Sequence, residues 1–139
     1  MIVVDTNVIG YLYLTSGRSE QAEKALLKDA QWAAPILWRS ELRNVLAGYI
    51  RKGQLSCGDA IRIMDEAEML MQNGEYEVNS VAVMELVKGS TCSAYDCEFV
   101  ALARDLGIRL ITVDKQILKQ FPEDALSLEA FVHQDEDDG

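Results

Sequence analysis

The apolar positions of this chain change period repeatedly, and the changes mark its elements. Ile2-Val3-Val4 is a short β-branched run, which favours a buried strand. Val8 to Leu14 reads as a short helix, and Ser19 caps a second one carrying Ala22, Ala25 and Leu26. "WAAP", at 32–35, is a short strand. Leu37 to Lys52 carries Leu42, Val45, Leu46, Tyr49 and Ile50 at the i, i+3, i+4, i+7, i+8 spacing of an amphipathic helix, and Gly53 ends it. Ser56 opens another helix through Ile61, Met64 and Met71 to an Asn73-Gly74 stop. "YEV", at 76–78, predicts a strand, and Ser80 to Lys88 a helix closed by Gly89. Ser93 to Leu106 is the next helix, with Gly107 just beyond it. "RLITV", at 109–113, is a second clear β run. It ends in Asp114, which starts a helix through Phe121, and "ALSL" adds a final edge strand.

Short strands alternating with helices mean βαβ units and a parallel sheet. The expected fold is therefore α/β: a three-layer α/β/α sandwich around a short central parallel sheet. The only two prolines, Pro35 and Pro122, fall between periodic segments, and no repeat or linker divides the 139 residues. One domain over 1–132 is expected, followed by an acidic, flexible tail over 133–139.

Composition is that of an ordinary globular protein, 49% hydrophobic and 26% charged. The longest uncharged stretch, Thr6 to Gly17, is too short to span a bilayer. It also follows an aspartate rather than a basic segment, so neither a membrane span nor a secretory signal is expected, and the cytoplasm is the expected location. The three cysteines, Cys57, Cys92 and Cys97, lack zinc-ligand spacing and read as reduced, buried thiols. A net charge of −10 argues at first against a nucleic-acid partner, but Asp135, Glu136, Asp137 and Asp138 supply four of those charges from the tail.

Four other carboxylates change the picture. Asp5 and Asp114 each directly follow a predicted strand, on the face where open α/β sheets bind their ligands. Glu41 lies on the flank of its helix, roughly 110° from the centre of the apolar stripe. On the Ser93–Leu106 helix, Tyr95, Phe99, Leu102 and Leu106 mark the expected buried face. Asp96 lies roughly 100° from Tyr95, next to Val100 and Ala103, on an otherwise apolar surface. Each acid also has a plain structural reading. Asp5 holds a turn, Asp114 caps a helix, Ser93-Ala-Tyr-Asp96 forms a capping box, and Glu41 is solvated near Lys52. Taken together, acids brought close would repel one another unless a cation lay between them. A hard divalent ion held by carboxylate oxygens and water suits them.

"VVDTNVI", "SELRNVL", "SAYDCEFVALARDLG" and "LITVDKQIL" resemble, in order and spacing, the four motifs of the PIN domain family. Within it, the chain most resembles the small VapC-type toxins of toxin–antitoxin pairs. The resemblance implies a PIN-like fold and an acidic quartet of Asp5, Glu41, Asp96 and Asp114. It also implies a Mg²⁺-dependent endoribonuclease, with Mn²⁺ able to substitute, acting by in-line attack of a metal-activated water. Asp5, Asp96 and Asp114 would be the direct metal ligands and Glu41 one through water, with Thr6, Asn7 and Thr112 orienting them. Arg39 and Arg43 are the candidate RNA phosphate contacts, with Arg51 and Lys52 less favoured against ordinary solvation. The implied partners are RNA, a cognate antitoxin and a second copy of the chain. Two alternatives stay open: an inactive PIN-fold interaction protein, and an RNA-processing nuclease that is not a toxin.

Other chemistries lack parts. The single histidine, His133, sits beside the tail, away from any candidate site. There is no Gly-rich phosphate loop or nucleophile elbow. A haloacid-dehalogenase-like phosphatase would want an aspartate where Asn7 stands. A receiver domain would want a mid-chain phospho-acceptor aspartate and a late strand-end lysine, and neither is found.

Overall fold

A computed structural model describes the backbone of residues 1–138 and the side chains of 1–134. The elements run β1 (Ile2–Val4), α1 (Thr6–Tyr11), α2 (Ser19–Lys28), β2 (Trp32–Pro35), α3 (Trp38–Arg51), α4 (Cys57–Leu70) and β3 (Glu75–Tyr76). They continue with α5 (Ser80–Lys88), α6 (Ala94–Leu106), β4 (Leu110–Thr112), α7 (Lys115–Gln120), β5 (Ala125–Ser127) and α8 (Leu128–Asp138). The five strands form one parallel sheet in the order β3-β2-β1-β4-β5.

This order places the site. From β1 the chain steps outward to β2 and β3, then crosses back to β4 and continues to β5. Right-handed crossovers put the helices of the outward and returning halves on opposite faces, which makes the three layers. α1 packs on α2 and α3, and α3 on α4, whereas α6 packs on β1, β2 and β4 with α5 beside it. The direction in which strands are added to the sheet reverses between β1 and β4. A crevice therefore opens there at the carboxyl ends of the strands, where α/β sheets bind ligands.

Local chemistry sets the element ends. Ser56 Oγ accepts from Asp59 N at 3.0 Å and Asn79 Oδ1 from Ala82 N at 3.1 Å, each starting a helix. Gly107 ends α6 in the left-handed region, φ 68°. The core runs through Val3, Val4, Leu42, Leu46, Phe99, Val100, Leu110 and Ile111, all buried.

Several expectations need correction. α2 starts at Ser19, but Ser19 is not its cap: its hydroxyl accepts from Ser16 N and donates to the Leu14 carbonyl. Tyr95 is 61% exposed, because α6 buries Cys97, Phe99, Val100, Leu102 and Ala103 instead. Cys57 is exposed, while Cys92 and Cys97 are buried free thiols. The last helix spans position 133. α8 continues to Asp138, its start capped by Ser127 Oγ accepting from Ala130 N, and it packs on α2, β4 and β5. The side chains of 135–138 and all of Gly139 lie outside the described residues. No helix among the described residues is long and apolar enough to cross a membrane.

Gly74 shows how tightly β3 joins the sheet. A Cβ there would stand 1.9 Å from the Trp32 carbonyl oxygen. Gly74→Ala should therefore cost about 1–3 kcal/mol in a denaturant melt, since the clash is with backbone. Gly48→Ala, in mid-α3 with open space around it, should instead stabilise by about 0.5–1 kcal/mol. Equal effects of the two substitutions would contradict the packing described.

Candidate active site

Asp5 leaves β1 and becomes the cap of α1, its Oδ1 accepting from Val8 N at 3.1 Å. Its other oxygen, Oδ2, accepts a hydrogen bond from the Thr112 hydroxyl. That contact exists because β1 and β4 pair with Val4 opposite Ile111, which sets the two following residues side by side. Thr112 Oγ1 also accepts from Asp114 N at 3.0 Å, and Asp114 Oδ1 accepts from Ile117 N at 2.9 Å to cap α7. One buried hydroxyl thus ties both strand-end acids together.

Two helices on opposite sides of the sheet bring the remaining acids. Glu41 lies in the first turn of α3, and its Oε1 accepts from Thr6 Oγ1 at 2.7 Å. Asp96 lies in the first turn of α6, where Ser93 Oγ accepts from its N–H at 3.1 Å. Asp5 and Asp114 are thus helix caps, Ser93 caps α6 beside Asp96, and carboxylate oxygens are left over for a ligand. All four acids, with Thr6, Asn7, Val45, Phe99 and Ile117, line one cleft of about 110 Å³. A larger hollow of about 360 Å³ beside Ile36, Tyr76 and Met84 is lined by two acids, Glu77 and Glu98, whereas the smaller cleft gathers four.

The electrostatics match a crowded anionic site. Burial pushes the Asp5 carboxyl up to about 6; hydrogen bonds from Thr112 and from the Val8 and Val113 backbone oppose the shift, and the Asp114 charge adds to it. Burial also raises Glu41, with the Asp96 charge adding, and it raises Asp96, with the Asp114 charge adding. Glu98, which sequence spacing did not single out, is raised by its own burial and by the Glu41 charge. Burial likewise raises the Cys92 and Cys97 thiols, which keeps these neighbours protonated and unreactive. Among the described residues, no lysine or arginine forms an ion pair with any of the four acids.

This donor set is chemically suited to a hard cation, being all oxygen and lacking a positive partner. Among the described residues no three His, Cys, Asp or Glu side chains by themselves enclose a metal position. A hard cation that keeps several waters and takes few protein oxygens directly is the kind such a donor set would suit.

The candidate phosphate contacts are not brought to the cleft. Arg39 Nε and Nη2 clamp Glu75 at 2.6 and 2.7 Å, and Nη1 reaches Glu68 at 3.2 Å. Arg43 leans toward the same Glu68 at 3.8 Å. Both sit two positions from Glu41, which on a helix is about 160° around the axis. Arg51 and Lys52 lie at the far end of α3, about 15 Å along it from Glu41.

Comparison with known proteins bears on the family and the fold. Residues 2–123 match the PIN domain family. The chain is 32% identical over 125 residues to Ribonuclease VapC3 of Pyrobaculum aerophilum, covering 87% of this chain and 95% of that one. The fold is shared with the crystal structure of PAE2754 from Pyrobaculum aerophilum: TM-score 0.72, 19% identity, 96% and 94% coverage. It is also shared with a toxin–antitoxin complex from Klebsiella pneumoniae: TM-score 0.68, 16% identity, 92% and 98% coverage. With its parallel sheet, its switch-point cleft and its match over most of the chain, the protein belongs to the PIN domain family.

Proposed function

We propose that this protein is a Mg²⁺-dependent endoribonuclease, with Mn²⁺ able to substitute, and the toxin of a toxin–antitoxin pair. The observation that carries this reading is the convergence of Asp5, Glu41, Asp96 and Asp114, from four separate elements, on one cleft without a cationic side chain among them. A bound divalent ion supplies an acidified water and neutralises charge on the phosphate. Asp5, Asp96 and Asp114 would offer it direct oxygens, and Glu41 would act through a water. Thr112 fixes the Asp5 carboxylate and the Asp114 backbone at once, and Thr6 fixes Glu41. Asn7, exposed at the cleft rim, would help orient the metal ligands from there.

The relationship to a VapC ribonuclease and to a toxin–antitoxin complex supports a cognate antitoxin as partner. A homodimer is proposed as well, and the exposed Val81 and Met84 on α5 supply apolar area for it. Sedimentation equilibrium showing only a 15.5-kDa species would contradict the dimer.

Asp5→Asn should reduce Mg²⁺-dependent cutting of structured RNA by at least about 100-fold, and EDTA should abolish cutting by the wild type. Thr112→Val keeps the buried volume and should lower cutting about 10- to 100-fold while raising the Mg²⁺ concentration needed. Equal cutting by wild type and Asp5→Asn, or cutting that survives EDTA, would contradict the reading.

The raised acids also predict a pH dependence in metal-free protein. Folded Asp5 holds its proton more tightly than unfolded Asp5, so its contribution to stability falls as pH rises from about 4 through about 6. In EDTA, Asp5→Asn should match the wild type below about pH 4 and exceed it by on the order of 2–3 kcal/mol above about pH 7. Saturating Mg²⁺ should shrink that difference. A difference independent of pH would show that Asp5 carries no strain.

A further inference from the structure

A second, smaller cavity adjoins the acid cleft. It lies between α1 and α3, has a volume of about 100 Å³, and shares Thr6, Asn7 and Val45 with the cleft as a common wall. Its remaining walls are of a different character: the partly buried rings of Tyr11 and Tyr49, with Leu42 behind them and Gly10 on the α1 side. Arg18 stands over the Tyr11 ring, 5.9 Å from its centroid, and its Nη1 donates to the Tyr11 hydroxyl at 3.2 Å. Resting on the ribonuclease reading above, we propose that this cavity is a nucleobase subsite, taking an unpaired base of the RNA strand whose phosphate lies in the acid cleft.

Three observations support a base as the occupant. The shared wall sets the cavity directly beside the acid cleft, so that neighbouring positions of one strand can occupy both. Two aromatic side chains line it, and base–aromatic stacking is the usual way that single-stranded RNA is held when few cations are available. Here Arg39 and Arg43 are tied to Glu68 and Glu75, and the chain carries a net charge of −10, so backbone attraction is weak. Arg18 is the exception. It holds Tyr11 in place at the rim and presents a guanidinium plane beside it, which itself stacks on bases.

Gly10 is the third observation. Glycine inside a helix is unfavourable relative to alanine, so its presence in α1 calls for a reason. Sterics do not supply one. An added Cβ would make only ordinary contacts, 3.6 Å to Leu42 Cδ1 and 3.8 Å to Leu14 Cδ1, both of them cavity walls. What a methyl group would do is occupy part of the cavity. Gly10 keeps that volume open.

The test is a fluorescence-anisotropy titration of a labelled short single-stranded RNA of mixed sequence and of an abasic strand of the same length, in Ca²⁺ to prevent turnover. Proteins compared are wild type, Tyr49→Ala, Tyr49→Leu, which keeps apolar bulk without the π face, and Gly10→Ala, whose helix propensity favours folding. Wild type should bind the base-bearing strand more tightly. The Tyr49 variants should weaken that binding by about 10- to 100-fold and leave binding of the abasic strand within about twofold. Gly10→Ala should lose affinity for the base-bearing strand only, with a melting temperature at or above wild type. Equal binding of both strands by wild type would overturn the proposal, as would parallel losses on both strands in the variants. Unchanged binding in all variants would do so too, and would leave the cavity to a protein side chain from a partner. Cutting of the same RNA in Mg²⁺ reports separately on the ribonuclease reading, so each reading can fail without the other.

Discussion

The pairing of β1 with β4 is the interaction on which the rest of the site depends. It places Asp5 against Thr112 and Asp114 at the point where the direction of strand addition reverses. Neither acid could be held there by its own helix alone, since each cap uses only one oxygen. The buried Thr112 hydroxyl resolves the conflict between them. It donates to one carboxylate and accepts from the backbone of the other residue, so two like charges are fixed in geometry without being neutralised. α3 and α6 then add Glu41 and Asp96 from the two helical layers.

The result opposes stability and favours binding. Burial raises three of the four acids above their ordinary range, and each neighbouring charge makes ionising the next more costly. Proteins tolerate such strain at functional sites because a ligand offsets it. The same constraint explains the outer surface. Arg39, Glu75, Glu68 and Trp38 form a separate network that clamps β3 to α3 and α4, keeping strong cations structural and away from the cleft. A cleft left anionic is one that a divalent ion can enter.

The acids were legible in the sequence because their positions are local facts. Asp5 and Asp114 end β-branched runs, and Asp96 interrupts an apolar helix surface. The five strands and seven of the helices were legible for the same reason, from period and caps. What was not legible depends on partners far along the chain. Arg39 looked available for phosphate because Glu68 and Glu75 meet it only after folding. Tyr95 looked buried by spacing, yet α6 turns a neighbouring face inward because β1, β2 and β4 all pack against it. α8 was missed since its acidic end hides the apolar anchors Leu128 and Phe131, both buried. Tyr49 was read as one more residue of an apolar stripe, with nothing local to show that Tyr11 would face the same cavity.

Direct titration of Mn²⁺ into the metal-free protein by calorimetry, at about pH 6 and about pH 8 in buffers of different ionisation enthalpy, tests most directly whether the four acids are a cation site. Saturable binding should occur at both pH values and release protons at the lower one, where Asp5 is partly protonated. Asp114→Asn should weaken it sharply. Absence of saturable binding, or binding that Asp114→Asn leaves unchanged, would contradict the assignment of this cleft as the metal centre.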